Sequence, residues 1–246
     1  MAATPNPVRS TPKRVILVVA NPATATTTGW PVGFWASELT HPWHEFNGVG
    51  YQVDIASPRG GKVVLDAYSD PRDSSGYSAH DLISMGFLST PKLAGLLDHT
   101  KPLAEVRAAD YDAIVVAGGQ SPMFTFPTET RLHRLLAEFY EAEKVTAALC
   151  HGVCALLPVT LSNGEALLKG KTITGFANSE EDIVDGMIGQ KVMPFRIEDE
   201  ATKLGANFIA NAAFRPFVVR DGRLITGQQQ NSGSVTAKAI IEALGL

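Results

Sequence analysis

Short apolar runs rich in β-branched residues recur along this chain, and segments with helical spacing separate them. A strand that is apolar on both faces must be covered on both faces, and helices crossing between parallel strands supply that cover. Arg14–Ala20, Tyr51–Ala56, Tyr111–Ala117, Val145–Cys150 and Lys171–Gly175 read as strands. Trp35, Leu39, Trp43 and Phe46 recur at the spacing of one helix face, as do Leu132, Leu135, Leu136 and Phe139. Phe217–Thr226 reads as a hairpin around Asp221-Gly222, and Ala237, Ile240, Ile241 and Leu244 mark a closing helix. The expected fold class is α/β, a doubly wound and mostly parallel sheet flanked by helices.

With 246 residues, 45% of them apolar and 19% charged, the chain can bury a large core. Neither a repeat nor a linker interrupts it, so one domain is expected over residues 14–246. Residues 1–13, rich in Pro, Thr and Ala, read as a flexible tail without the pattern of a secretory signal. The stretch from about Gly61 to Thr100 is irregular and reads as an insertion over the site. A net charge of −4 argues against nucleic acid as a partner, and no basic aromatic patch is present. There is no phosphate loop and no dinucleotide fingerprint. No apolar run reaches the ~18 residues a membrane span needs. Two cysteines make no disulfide framework, which points to the cytoplasm, and Cys150 and Cys154 are badly spaced along a helix to bridge each other.

Ligands in such sheets bind beyond the carboxyl ends of the strands. Cys150 closes one strand and is followed at once by His151-Gly152-Val153, the pattern of a sharp strand-to-helix elbow. The start of the helix and the adjacent imidazole favour thiolate, so a low thiol pKa is expected. The competing reading is a buried cysteine that only packs. Gly118-Gly119 ends the strand before it and can present N–H donors, which with the N–H of His151 would form an oxyanion hole; a plain tight turn competes. His41-Pro42-Trp43-His44-Glu45 carries zinc-ligand residue types, but Pro42 and the helical spacing favour a structural role. Gln228–Ser232 reads as the cap of the last helix and part of a pocket rim.

Several segments together resemble the ThiJ/PfpI superfamily. They are Gly33–Leu39, His41-Pro42-Trp43, Val53–Gly61, the Cys150-His151-Gly152 elbow, Ile173–Phe176 and Phe195–Glu200. The resemblance runs from about residue 14 to 244. It implies a flavodoxin-like fold of the class I glutamine-amidotransferase type, and it is nearest to the branch of glutathione-independent glyoxalase III enzymes that also act as chaperones. It makes Cys150 the nucleophile, Glu38 the acid that shuttles protons beside it, and His151 a base. Glu181 would orient His151, although Asn178–Glu181 also reads as a capping box opening a helix. Gly118, Gly119, Gln120 and Trp35 would touch the substrate or stabilise its developing charge. A homodimer is implied.

The chain departs from the superfamily's pattern after the third strand. Gln120 stands where a pocket histidine is usual, and Thr125 replaces a usual Asp. The resulting expectation is a cofactor-independent cysteine enzyme, with no metal, converting a 2-oxoaldehyde and water to a 2-hydroxy acid. Two alternatives remain open from the residues. One is an amide hydrolase using Cys150, His151 and Glu181. The other is a stress-responsive chaperone or redox sensor in which Cys150 is oxidised rather than turned over.

Overall fold

The computed structural model describes residues 12–245. Residues 1–11, most of the expected tail, lie outside it. Lys13 belongs with the first strand rather than with the tail: its carbonyl accepts the Gln52 N–H at 2.9 Å, and its ammonium meets Asp112 at 3.1 Å.

The central sheet has seven strands. In chain order they are β1 (Arg14–Val18), β2 (Gln52–Ser57), β3 (Lys101–Pro102), β4 (Ala113–Val116), β5 (Val145–Leu149), β6 (Val218–Asp221) and β7 (Leu224–Gly227). Their order across the sheet is β6-β7-β5-β4-β1-β2-β3. Every pairing is parallel except the β6/β7 hairpin at one edge. The main helices are α1 (Ala36–Gly48), α2 (Leu82–Ser89), α3 (Thr130–Glu141), α4 (Asn178–Ile188), α5 (Ile197–Lys203) and α6 (Gly233–Ala243).

The continuous apolar runs have the expected consequence. Ile16, Val18, Ile114 and Val116 face one way and pack on Leu132, Leu135 and Phe139 of α3. Val15, Leu17, Val115 and Ala147 face the other way, onto Leu39 and Phe46 of α1 and Ile240 of α6. Each fully buried Leu, Ile or Phe contributes about 1.5–3 kcal/mol, so both helical layers are held firmly to the sheet.

One expected strand is mostly not one. Of Lys171–Gly175 only Thr172–Ile173 pairs, with Asn207–Phe208, in a separate two-stranded sheet. Side chains of the hairpin take its donors: the Thr172 N–H donates to Asp221 Oδ2 and the Thr174 N–H to Thr226 Oγ1, both at 2.8 Å. The Cys150 segment also differs. A 3₁₀ helix spans Cys150–Leu156, ending before Pro158, where the sequence suggested an α-helix.

Candidate active site

Three chain segments converge at the carboxyl ends of β4 and β5, and glycine is what lets them. Cys150 has φ +55°, a left-handed conformation that costs a non-glycine residue about 1–3 kcal/mol and that turns the side chain out of the strand. A Cβ at Gly152 would sit 2.6 Å from the Val116 carbonyl oxygen. At Gly118 it would lie 2.7 Å from the His151 nitrogen and 2.8 Å from Glu38 Oε2. Gly119 has φ +97° and would press a Cβ to 2.4 Å from the Trp35 nitrogen. The elbow, the Gly118-Gly119 turn and the start of α1 therefore touch backbone to backbone. Cys150 is 3% exposed, and the N–H groups of His151 and Gly119 face its sulfur.

Glu38 lies in the first turn of α1 and is wholly buried. Its Oε2 accepts the Gly118 N–H at 2.6 Å. The carboxyl also acts on the Cys150 thiol, while Oε1 has no fully formed hydrogen bond among the described residues. Burial with so little compensation pushes Glu38 up to about 8. The expectation of a low thiol pKa is overturned. Burial and the neighbouring carboxylate push Cys150 up, and the two N–H groups only partly offset this. A 3₁₀ helix of seven residues is too weak a dipole to win against removal from water and a like charge in contact. The thiolate therefore forms within a pair that shares its protons, not by independent ionisation.

His151 Nε2 meets Glu181 Oε1 at 3.0 Å, while Nδ1 lies 3.9 Å from the Cys150 sulfur. The Phe176 ring packs on the imidazole at 4.2 Å. The two readings of Asn178–Glu181 are divided between neighbours. Glu180 takes the cap, accepting the Ala177 N–H at 2.9 Å; its other oxygen accepts from the Phe214 N–H and the Gln228 amide. Glu181, one residue on, points at His151.

A cavity of about 300 Å³ opens over the sulfur. Trp35, Gly119, Gln120, Cys150, His151 and Glu181 line it; Glu38 and Gly118 stand behind the sulfur, outside the lining. The far walls are Tyr77, Phe176, Phe214, Met187 and Val192. Gln120 anchors its own N–H on Asp66 Oδ2 at 2.6 Å, and its side-chain oxygen has no partner among the described residues. Gln230 reaches the rim, as the capping segment suggested.

Sequence reasoning missed Asp66, Tyr77 and Phe214. Asp66 and Tyr77 fall in the irregular Gly61–Thr100 stretch, where no periodicity marks an inward-facing residue, and Phe214 lies in a loop. His41 holds Asp81 at 2.8 Å, and Asp81 accepts the Ser84 N–H at the start of α2, so this histidine ties two helices together. Cys154 is buried with its sulfur 3.4 Å from the Pro122 carbonyl oxygen, and burial pushes its thiol far up, which leaves it inert. No group of three or more metal-ligating side chains occurs among the described residues.

Fold and site define an α/β protein with a cysteine on a strained elbow, backed by a buried glutamic acid. The chain belongs to the DJ-1/PfpI family, whose pattern matches residues 31–243. It is 31% identical to glutathione-independent glyoxalase HSP31 of Saccharomyces cerevisiae, over 95% of this chain and 98% of the relative. The crystal structure of glyoxalase III from Candida albicans is similar with a TM-score of 0.79 and 27% identity, covering 94% of this chain and 97% of that one. The structure of the Rapid Encystment Protein of Francisella tularensis is similar with a TM-score of 0.85 and 32% identity, covering 95% of this chain and all of the other.

Proposed function

We propose that this chain is a glutathione-independent glyoxalase, converting a 2-oxoaldehyde and water to a 2-hydroxy acid at Cys150. The observation that carries the reading is the buried Glu38–Cys150 pair at the floor of a small cavity. The chemistry needs a sulfur nucleophile and a carboxyl that both takes and gives a proton near neutral pH, and burial prepares Glu38 for that.

Glu38 in its ionised form, the minor one at neutral pH, takes the Cys150 proton, and the thiolate adds to the aldehyde carbon. The carbonyl π pair moves onto oxygen, where the N–H groups of Gly119 and His151 stabilise it. Protonation of that oxygen gives a hemithioacetal. The carbon-bound hydrogen of the former aldehyde leaves as a proton, and the electron pair moves toward the adjacent ketone to form an enediol. Return of a proton to the ketone carbon leaves a thioester beside a new hydroxyl. One carbon is oxidised and its neighbour reduced, so the step needs no external oxidant. Water then cleaves the thioester, with His151 held by Glu181 as the base, and frees Cys150. The test is consumption of methylglyoxal and phenylglyoxal without glutathione, with the 2-hydroxy acid read by NMR. Turnover absent in Cys150→Ala supports the reading; no turnover of any glyoxal by the unaltered protein refutes it.

The 3.0 Å His151–Glu181 contact beside the sulfur favours a second reading, an amide or ester hydrolase. The 3.9 Å separation of sulfur and imidazole is long for a base poised to take the thiol proton, so this ranks second. A cytoplasmic homodimer built from one domain per chain, residues 14–246, goes with the primary reading. Sedimentation at several concentrations tests the dimer. No helix among the described residues is long and apolar enough to cross a membrane.

A further inference from the structure

We propose that Asp66 is a positioning residue for this site, fixing the oxyanion turn and setting, by its charge, where the proton of the Glu38–Cys150 pair rests. The inference rests on the reading of that pair as the proton-handling unit.

Asp66 is only 3% exposed and touches no substrate-facing surface of the cavity. Its two oxygens are spent on two different segments. Oδ1 accepts the Gly33 N–H at 2.8 Å, in the approach to α1. Oδ2 accepts the Gln120 N–H at 2.6 Å, the residue after Gly119. The chain around it closes the same joint: the Asp66 N–H donates to the Phe34 carbonyl and the Trp35 N–H to the Gly118 carbonyl. One carboxylate thus pins the segment carrying Glu38 to the turn carrying the Gly119 N–H. A neutral side chain of the same shape can accept from one of these N–H groups with its oxygen but not from both.

The charge is the second half of the role. No lysine or arginine among the described residues bonds to Asp66. The titratable groups around it are Glu38 on α1 and His151 at the elbow, with Cys150 beyond Glu38. Burial lifts Asp66 to about 6, and its two N–H bonds and His151 hold it down. It is therefore ionised at neutral pH, and its negative charge raises Glu38 further. An anion behind Glu38 makes the protonated carboxyl the resting form, ready to give its proton beside the sulfur.

The test compares the unaltered protein with Asp66→Asn in two measurements. One is kcat/KM on methylglyoxal against pH. The other is the pH dependence of Cys150 alkylation by iodoacetamide in a Cys154→Ser background, which needs no turnover. Removing the charge should shift the midpoint that belongs to the Glu38–Cys150 pair downward in both. A fall in amplitude with unmoved midpoints means a purely structural role and overturns the proposal. Should no glyoxal be turned over, the functional reading fails while alkylation still decides the role of Asp66. Should Asp66→Asn fail to fold, ¹³C carboxyl NMR of the unaltered protein decides. The Glu38 resonance should show an extra inflection at the Asp66 step near 6. A single smooth Glu38 titration overturns the proposal.

Discussion

The two sides of Cys150 are built on opposite principles. On the α1 side Glu38 is buried against fixed backbone with no cation beside it among the described residues, and its carboxyl is forced to keep a proton. On the α4 side Glu181 is just as hidden but has a partner, the imidazole of His151. That helix then leads outward to an apolar rim, where Met187 is 70% exposed and Ile183 42%. Equal burial of two carboxyls thus gives different chemistry: an unpaired one stores a proton, and a paired one holds a ring in place. The first side suits proton transfer at the reacting carbons, and the second suits orientation and the fit of the substrate's side chain.

The sharpest way to break this comparison is Glu38→Gln. The amide still accepts the Gly118 N–H but cannot carry a proton, so kcat should fall by about 10²–10⁴. Stability should move the other way. Glu38 is raised from 4.5 in the unfolded chain to about 8 in the folded one, so the folded state binds the extra proton between those values and loses stability as pH climbs through them. Glu38→Gln removes that loss, so its Tm should exceed that of the unaltered protein at pH 8 and match it near pH 4. Calorimetry at the two pH values checks the sign. A catalytic loss below three-fold would place the proton transfer elsewhere.

Glu181→Gln should do less. Under the glyoxalase reading it loosens His151 and slows thioester hydrolysis about ten-fold, with thioester accumulating on Cys150, visible by mass spectrometry. A loss near 10⁴, with activity on amides or esters in the unaltered protein, would instead make the α4 side the catalytic one.

The smallest effects belong to the cavity's far walls. Aromatic and aliphatic groups there leave room beyond a methyl substituent, so phenylglyoxal should have the higher kcat/KM. Met187→Glu should raise KM for phenylglyoxal a few-fold and leave methylglyoxal nearly unchanged. Gln120→His, which restores a titratable ring at the unpartnered amide, should change the ratio of the two substrates with Tm unmoved. If neither substitution alters either substrate, the α4 wall and Gln120 do not touch the substrate's side chain.

Much of this arrangement is legible in the sequence. The doubly wound sheet was legible because the signal is local: an apolar strand of five residues advertises its two buried faces by composition alone. Cys150 was legible for the same reason, since strand, elbow and glycine are consecutive. Glu38 followed from the resemblance of its surrounding motif. What was not local was lost. Whether Glu180 or Glu181 caps α4 was decided by Phe214 and Gln228, which arrive from more than thirty residues away to occupy Glu180. Asp66 had no pattern around it, because a carboxylate joining two loops through backbone N–H groups leaves no periodicity in its own segment. The direction of the Cys150 shift depended on tertiary structure most of all. Sequence supplies the helix start and the neighbouring histidine, which favour the thiolate; only packing removes water from the sulfur and brings Glu38 against it. In a dry site the cost of an unsolvated charge exceeds the help of a short helix turn, and that balance is set by which segments meet, not by the order in which they are written.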